Sequence, residues 1–333
     1  MFAAIAVAVA LAAAGNSYNV QTLVTNSSDA NLVNGWGLSI GPTTPWWVSD
    51  NGTNKSTLYQ GTGTKAALVV DVPGGPTGTV FNGDATAFVV SQNGKSGAAR
   101  FLFSTEKGQI LGWSPTVNGT LALPGADMSS QGAIFKAMTI LNGKLYATDF
   151  HNGKVDVFDS SFAQVPAAFA DKTIPKGYAP FGIQALAGSI FVTYAPQDAQ
   201  REDELDKPGK GFVDEFSPDG TLIGRVAKQG GKNAPLNAPW GLAMAPANWG
   251  SFGGDLLVGN FGNGRISAYE QRGSKWVYRG QLRKGDGTII EQDGLWAIAF
   301  GNGAAAGPVT SLYFAAGPGD EKAGAFGVIT ANG

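Results

Sequence analysis

LYATDFHNGKVDVF, at residues 145–158, reappears in altered form as LLVGNFGNGRISAY at residues 256–269. Each segment has an apolar pair, a small residue, Asp149 or Asn260, a phenylalanine, an Asn-Gly pair, a basic residue and an alternating run that ends in an aromatic residue. Alternation on both sides of a glycine turn is typical of a β-hairpin. Two such hairpins in one chain indicate a repeated structural unit.

Looser copies of this hairpin occur at four more places, within 46–59, 101–113, 190–216 and 312–330. A short strand rich in small residues precedes each hairpin. These strands are WGLSI (36–40), DATAF (84–88), KAMTI (136–140), FGIQA (181–185), WGLAM (240–244) and WAIAF (296–300). The six repeats therefore begin at 36, 84, 136, 181, 240 and 296.

Six units of this length, each with three or four strands, predict an all-β six-bladed β-propeller. The innermost strands of a propeller crowd around its axis, which explains the small residue near the start of each one. These residues are Gly37, Ala85, Ala137, Gly182, Gly241 and Ala297. Two β-sandwiches are the alternative, but their repeats would cluster into two halves rather than run evenly.

The chain ends also predict closure of a ring. The sixth repeat has only three strands of its own, whereas YNVQTLVT (18–25) has strand-like alternation and no partner in the first repeat. We expect 18–25 to supply the outer strand of the sixth blade, because pairing removes an edge that would otherwise favour aggregation. Residues 17–333 are then one propeller domain.

Residues 1–16 begin with the apolar run MFAAIAVAVALAAAG, which is too short to span a bilayer. An apolar run followed by small residues is typical of a secretory signal peptide, although no Lys or Arg precedes it. The alternative is a retained apolar helix that serves in assembly. We expect a secreted protein, in the periplasm or outside the cell.

Composition excludes several classes of function. The net charge is −2 and no basic run exceeds two residues, so neither nucleic acid nor an anionic membrane surface is an expected partner. The chain has no cysteine, which excludes disulfides, cysteine nucleophiles and iron–sulfur clusters. No transmembrane span is predicted.

The small-residue inner strand, LYATDF, the Asn-Gly turn and KVDVF together resemble the six-bladed propellers of the NHL and gluconolactonase-like superfamily. The resemblance covers about residues 18–330 and is nearest to an uncharacterised family of secreted bacterial propeller proteins. It implies the fold but not a function, since propellers include hydrolases, lyases and binding proteins.

In such propellers the starts of the inner strands and the ends of the second strands share one face, which we call the axial face. On this face the resemblance places a ligand-binding set: Trp36, Asp84, Lys136, Phe181, Tyr194, Trp240 and Trp296. Acids facing aromatic rings suit a small molecule or glycan with one apolar side, or a protein partner. The alternative for the tryptophans is that they simply fill the mouth of the channel.

Asp84 and Lys136 start neighbouring inner strands, so we expect them to form an ion pair near the axis. Lys136 is also a candidate catalytic residue or anion-binding group. His151 is the only histidine, and its counterpart in the fifth repeat is Gly262. The hairpin therefore does not require histidine, which leaves His151 as either a general base or metal ligand, or a solvated loop residue.

Gluconolactonase-like enzymes hold calcium at the axis through a glutamate and Asn or Asp ligands. No glutamate starts an inner strand here, but four side chains offer oxygen ligands for calcium or another divalent metal: Asp50, Asp84, Asp149 and Asn260. The charged insertion 195–211 should overhang the axial face, and segment 283–294 should place Glu291 and Asp293 near its rim.

Three functions remain open from the sequence. The first is a secreted, non-catalytic module that binds a ligand or partner on the axial face. The second is a metal-dependent hydrolase, lactonase or lyase with His151 as the acid or base. The third is a subunit of an extracellular surface assembly, with residues 2–14 as the assembly helix.

Overall fold

A computed structural model describes residues 15–332 of this chain. The predicted signal peptide or retained helix at 1–16 therefore lies almost entirely outside the described residues. Within 15–332, no helix has the length and apolar character needed to cross a lipid bilayer.

The described residues form six four-stranded antiparallel sheets arranged as the blades of a propeller, so the predicted fold is confirmed. Blade one contains β2 (Gly35–Ser39), β3 (Trp46–Asp50), β4 (Lys55–Tyr59) and β5 (Lys65–Asp71). Blade two contains β6 (Pro76–Phe81), β9 (Phe101–Thr105), β10 (Gln109–Trp113) and β11 (Leu123–Asp127), with an extra hairpin of β7 (Val89–Gln92) and β8 (Lys95–Ala98). Blade three contains β12 (Phe135–Leu141), β13 (Lys144–Asp149), β14 (Lys154–Phe158) and β15 (Gln164–Val165).

The remaining blades follow the same order. Blade four contains β16 (Tyr178–Leu186), β17 (Ser189–Pro196), β18 (Phe212–Phe216) and β19 (Leu222–Ala227). Blade five contains β20 (Pro239–Met244), β21 (Leu256–Asn260), β22 (Ile266–Arg272) and β23 (Lys275–Gln281). Blade six contains β24 (Leu295–Phe300), β25 (Ser311–Ala316), β26 (Ala325–Ala331) and the amino-terminal strand β1 (Tyr18–Thr25). Short 3₁₀ turns lie at Asn51–Thr53, Ser129–Gln131, Gly250–Phe252 and Phe261–Asn263.

The amino-terminal strand closes the ring as predicted. β1 pairs antiparallel with β26 from Tyr18, opposite Ala331, to Thr25, opposite Ala325. Tyr18 is fully buried and its ring centroid lies 4.6 Å from that of Trp249 in blade five. β1 is therefore hydrogen-bonded to its own sheet and packed against the neighbouring blade.

Glycines bring neighbouring inner strands into close contact at the axis. A Cβ atom on Gly182 would lie only 2.1 Å from the carbonyl oxygen of Trp240, and one on Gly241 would lie 2.6 Å from that of Trp296. Adjacent blades could not approach this closely with larger side chains. This supports the physical reason given above for small residues on the inner strands.

The predicted inner strand of blade two is wrong. The sequence placed it at 84–88, but the structure has it at β6, Pro76–Phe81, where Gly78 takes the role assigned to Ala85. A Cβ on Gly78 would lie 2.5 Å from the backbone nitrogen of Met138 in blade three. The extra hairpin β7–β8 separates β6 from β9 and obscured the repeat.

Candidate functional site

The predicted aromatic wall is present, but it is packed into the mouth of the channel. Trp36 stacks on Trp296 with ring centroids 3.8 Å apart, and Phe261 stacks on Trp296 at 3.9 Å. Trp240 meets Trp296 edge-on at 5.8 Å. The indole nitrogen of Trp296 donates to the side-chain oxygen of Asn34 at 2.8 Å. The three tryptophan rings are buried and Phe261 is half-buried, and together they close the axial end of the channel.

Phe181 and Tyr194 are also in the core. Phe181 is fully buried and meets Trp296 edge-on. Tyr194 is 5% exposed, and its hydroxyl group has no hydrogen-bond partner among the described residues. Burial, with a further contribution from Asp214, raises the pKa of Tyr194. The structure therefore gives both residues a packing environment rather than access to a ligand.

Lys136 of blade three lies at the centre of the axial face and contacts residues of four other blades. Its side chain is 1% exposed, and its ammonium group lies 2.8 Å from a carboxylate oxygen of Glu106 and 2.7 Å from one of Asp203. It also lies 5.2 Å from the ring centroid of Trp36, and its backbone oxygen accepts a hydrogen bond from the indole of Trp240. Burial opposes the charged form, but Glu106, Glu204 and Asp203 outweigh burial and raise the pKa of Lys136.

The carboxylates around this lysine carry more charge than it neutralises. Burial raises the pKa of Glu204 to about 8; Lys136 opposes this shift, and Glu321 and Asp203 add to it. Burial also raises the pKa of Glu321, against the opposing effect of Lys136. We call Lys136 with Glu106, Asp203, Glu204 and Glu321 the lysine cluster. Its raised carboxyl pKa values are typical of a crowded, negatively charged site.

The predicted ion pair between Asp84 and Lys136 is wrong. Asp84 lies in an exposed loop after the end of β6, at the opposite end of the channel, and accepts hydrogen bonds from Thr86. These hydrogen bonds lower its pKa. The error follows from the misplaced inner strand. The prediction put Asp84 at the start of that strand, on the axial face, whereas in the structure Asp84 follows the end of β6 and lies on the other side of the propeller.

Asp149 and Asn260 are hydrogen-bonded within their own blades. Asp149 accepts a hydrogen bond from the backbone of Ile134 at 3.3 Å and one from the side chain of Asn152 at 2.7 Å. Asn260 accepts from the backbone of Asn237 at 2.9 Å. Both side chains therefore tie the end of a second strand to the segment that enters the inner strand, which explains their recurrence in the repeat.

Asp50 occupies the equivalent position in blade one and differs from both. It is fully buried, and neither carboxyl oxygen completes a hydrogen bond among the described residues, although the Thr57 hydroxyl is close enough to favour the charged form. Burial, reinforced by the charge of Asp29, raises the pKa of Asp50 well above its usual range.

The proposed metal ligands do not fit a metal site. Asp84 is on the far side of the propeller, and Asp149 and Asn260 use their oxygens within their own blades. Within residues 15–332, no group of three or more His, Cys, Asp or Glu side chains is arranged to hold a metal ion. The structure therefore does not assemble the calcium site that the resemblance implies.

His151 lies in the turn after β13, beside the insertion 195–211. Its Nε2 atom is 3.4 Å from a guanidinium nitrogen of Arg201, and its Nδ1 atom is buried without a hydrogen-bond partner among the described residues. The insertion overhangs the axial face as predicted, because Asp203 within it reaches Lys136. His151 is therefore at the edge of this face, apart from the lysine cluster.

An open cavity of about 380 Å³ lies on the axial face between blades five and six. We call it the acidic cavity; its lining residues are Asp206, Phe261, Gly262, Asn263, Glu291, Asp293, Gly294, Gly317 and Asp320. Glu291 and Asp293 were expected at this rim. Asp206 and Asp320 were not singled out from the sequence; both lie in charged or glycine-rich loops, where the only signal was the density of charge.

A buried polar atom lies beside this cavity. The side-chain oxygen of Asn237 has no hydrogen-bond partner among the described residues, and Asn237 is 3% exposed. A Cβ on Gly262 would lie 2.5 Å from this oxygen and 2.7 Å from a carboxylate oxygen of Asp206. Both oxygens therefore pack closely against Gly262, which lines the cavity, and leave no room there for a larger side chain.

No protein-family model matches the chain. Among curated proteins, Uncharacterized protein R640 of Acanthamoeba polyphaga mimivirus is 30% identical over 229 residues, covering 67% of this chain and 42% of that protein. Uncharacterized protein L690 of the same virus is 28% identical over 303 residues, covering 85% of this chain and 79% of that protein. The chain thus spans less than half the length of the first relative and most of the second.

Two solved structures share the fold over nearly the whole chain. Virginiamycin B lyase from Staphylococcus aureus has a TM-score of 0.53 at 12% identity, covering 94% of this chain and 99% of that one. The soluble aldose sugar dehydrogenase from Escherichia coli has a TM-score of 0.58 at 13% identity, covering 95% and 100%. At these identities the likeness shows the propeller fold alone. The curated relatives are viral, so they do not support the narrower resemblance to a family of secreted bacterial proteins.

Proposed function

We propose that this propeller is a binding module that takes an organic cation, such as an ammonium or guanidinium group, in the acidic cavity of its axial face. The observation that carries the proposal is that the unpartnered oxygen of Asn237 and a carboxylate oxygen of Asp206 both lie close to Gly262, a residue of the cavity wall. A buried acceptor without a donor is unfavourable, and an N–H donor from a ligand would satisfy it.

The charges that line the cavity favour a cation. Glu291 is paired with Arg265 at 2.6 Å, and Asp293 accepts a backbone hydrogen bond from Gly319. Asp206 has no salt bridge within the described part of the chain, and Asp320 has only a long contact of 3.7 Å to an exposed lysine. A positive ligand would therefore reduce an excess of negative charge that the protein itself leaves uncompensated.

Phe261 gives the cavity an apolar wall suited to the same ligand. Its ring is held by stacking on Trp296, so the cavity can present an aromatic surface without further ordering. A cation near an aromatic ring is stabilised by the ring quadrupole. The adjoining loop contains Asp320 and Glu321 at φ values of 53° and 64°. Such strained residues are frequent at functional sites.

Calorimetric titration with 3,3-dimethylbutylammonium, which carries three N–H donors, tests the proposal, and 3,3-dimethyl-1-butanol is its neutral counterpart of similar shape. We expect saturable binding of the ammonium compound, weakened at high salt, and no comparable binding of the alcohol. Asp206→Asn should weaken binding of the ammonium compound about tenfold or more, since it removes a charge-assisted contact. Asp84→Asn removes the same charge from the opposite face and should leave binding unchanged. Equal binding of the alcohol, or equal weakening by both variants, would contradict the proposal.

A second candidate is an acid–base enzyme that uses Glu204. A carboxyl group with a pKa of about 8, beside the buried cation of Lys136, is suited to donate a proton near neutral pH. The structural neighbours named above include a lyase and a dehydrogenase, which supports keeping this candidate. Turnover of a panel of activated esters and lactones tests this candidate. The turnover rate should fall as the pH rises through about 8, where Glu204 loses its proton, and Glu204→Gln should abolish turnover. No turnover with any of them would leave the binding module as the better account.

We also propose that the protein is exported, from the apolar sequence at 1–15. N-terminal sequencing of protein from the native source tests this. A mature chain that begins near residue 16 supports export, and one that retains residues 2–14 supports the assembly helix instead.

A further inference from the structure

A second cavity lies in the channel below the tryptophan rings, away from the acidic cavity. Its volume is about 230 Å³, and all six inner strands contribute to its walls. Trp240 forms its closed end, whereas Leu38, Met244 and Phe300, which are near the ends of their strands, are partly exposed. The cavity therefore opens on the face opposite the axial face, which we call the distal face.

The walls of this cavity are mainly apolar. The larger apolar side chains are Leu38, Met138, Ile183, Leu186, Leu242, Met244, Ile298 and Phe300, and glycine and alanine residues lie between them. None of the described residues that line the cavity is charged. A charged ligand would lose its hydration here without gaining a partner, so the cavity favours a neutral one.

Two polar side chains interrupt the apolar wall. Thr79 is 5% exposed, and its hydroxyl oxygen is buried with no hydrogen-bond partner among the described residues. Gln184 brings an amide group to the same cavity. Buried hydroxyl groups in proteins are nearly always paired, so an orphaned one at the wall of a cavity indicates a missing partner.

We propose that the distal cavity binds a small neutral molecule with an apolar body and one hydroxyl group, which pairs with Thr79 and Gln184. An apolar cavity of about 150 Å³ holds a benzene ring. This larger cavity accommodates a substituted ring of roughly ten heavy atoms on the same scale. The distal cavity shares no lining residue with the acidic cavity, so the two binding proposals are tested independently.

The experiment compares 4-propylphenol with propylbenzene, which has the same body and no hydroxyl group. Binding is followed by calorimetry and by the tryptophan fluorescence of the protein, to which Trp240 in the cavity wall contributes. Both compounds should bind, and the phenol should bind about two- to twelvefold more tightly, the range expected for one net hydrogen bond. Thr79→Val should remove that difference and leave propylbenzene unchanged, while the exposed Thr221→Val serves as its matched control.

A second test of the proposal fills the cavity with a larger side chain. Ala299 lines the wall, and Ala299→Phe should abolish binding of both compounds; Ala299→Leu is the smaller replacement if the first variant does not fold. The proposal is overturned if the folded protein shows no saturable binding, as expected for a channel that holds only water. It is also overturned if Thr79→Val weakens both compounds alike, or if binding survives a folded Ala299 variant.

Discussion

Replacing Asp50 by asparagine should stabilise the protein at neutral and alkaline pH, by an amount that grows as the pH rises. Asp50 is fully buried, and burial together with the nearby charge of Asp29 raises its pKa in the folded state. The opposing groups are Thr57, which favours the charged form, and Lys65, which is held by Asp29 at 2.8 Å. Asparagine has nearly the shape of a protonated carboxyl group but cannot ionise.

The magnitude follows from proton linkage. When the folded pKa is above the unfolded one, the folded state binds more protons between the two values, so the free energy of unfolding falls as the pH rises. The loss begins near pH 4, the ordinary range of an aspartate, and approaches about 1.4 kcal/mol per pH unit until the pH reaches the folded pKa. The Asp50→Asn protein lacks this loss, and the two stability curves should separate with that slope.

Thermal or denaturant unfolding from pH 4 to pH 9, followed by near-ultraviolet circular dichroism, measures this separation. Asp84→Asn is the matched control. Hydrogen bonds from Thr86 lower the pKa of the exposed Asp84, so its contribution to stability is present above pH 4 and is lost on acidification. Its replacement should therefore lower stability, with the opposite sign. A difference between wild type and Asp50→Asn that does not change with pH would refute the reasoning.

Two further substitutions test the interior. Lys136→Met should destabilise the fold by about 1.5–3 kcal/mol, because the partly exposed carboxylates of Glu106 and Asp203 lose their charge-assisted hydrogen bonds to the buried cation. Lys55→Met, which breaks a partly exposed pair with a 2.6 Å contact, should cost less than about 1 kcal/mol, and similar losses in urea unfolding would contradict this account. Gly182→Ala should lower the free energy of unfolding by about 1–3 kcal/mol or more, since its Cβ would lie 2.1 Å from the backbone oxygen of Trp240. Gly224→Ala, with open space around its Cβ, should be nearly neutral, and equal melting temperatures for the two alanine variants would show that blade contact is not the cause.

Strand alternation and turn chemistry made the ring predictable. The hairpins at 145–158 and 256–269 are local patterns, and the unpaired alternation at 18–25 had one natural partner in the incomplete sixth repeat. Blade two was misread because β7–β8 is also a hairpin with a glycine turn, so local signals do not distinguish it from the blade around it. Pro76–Phe81 would have been found by matching PTG at 76–78 with PWG at 239–241.

The site was much less predictable. The sequence placed Lys136 near a carboxylate, but its partners come from the β9–β10 turn and from the insertion rather than from a neighbouring inner strand. Tryptophan at an inner-strand start did not indicate whether the ring faces a ligand or fills the channel. Asn237, beside the acidic cavity, lies near Asp206 of the cavity wall, and this proximity depends on the path of a long loop.

The sequence by itself determined the number of repeats, the small inner residues of five of them and the closing strand, because each depends on side-chain period and turn type within one short segment. Only the tertiary structure decided which groups share the axial face and which are sealed in the channel. Loops from blades two and four meet at Lys136 of blade three, and a side chain's burial and charge there depend on neighbours that no local pattern contains.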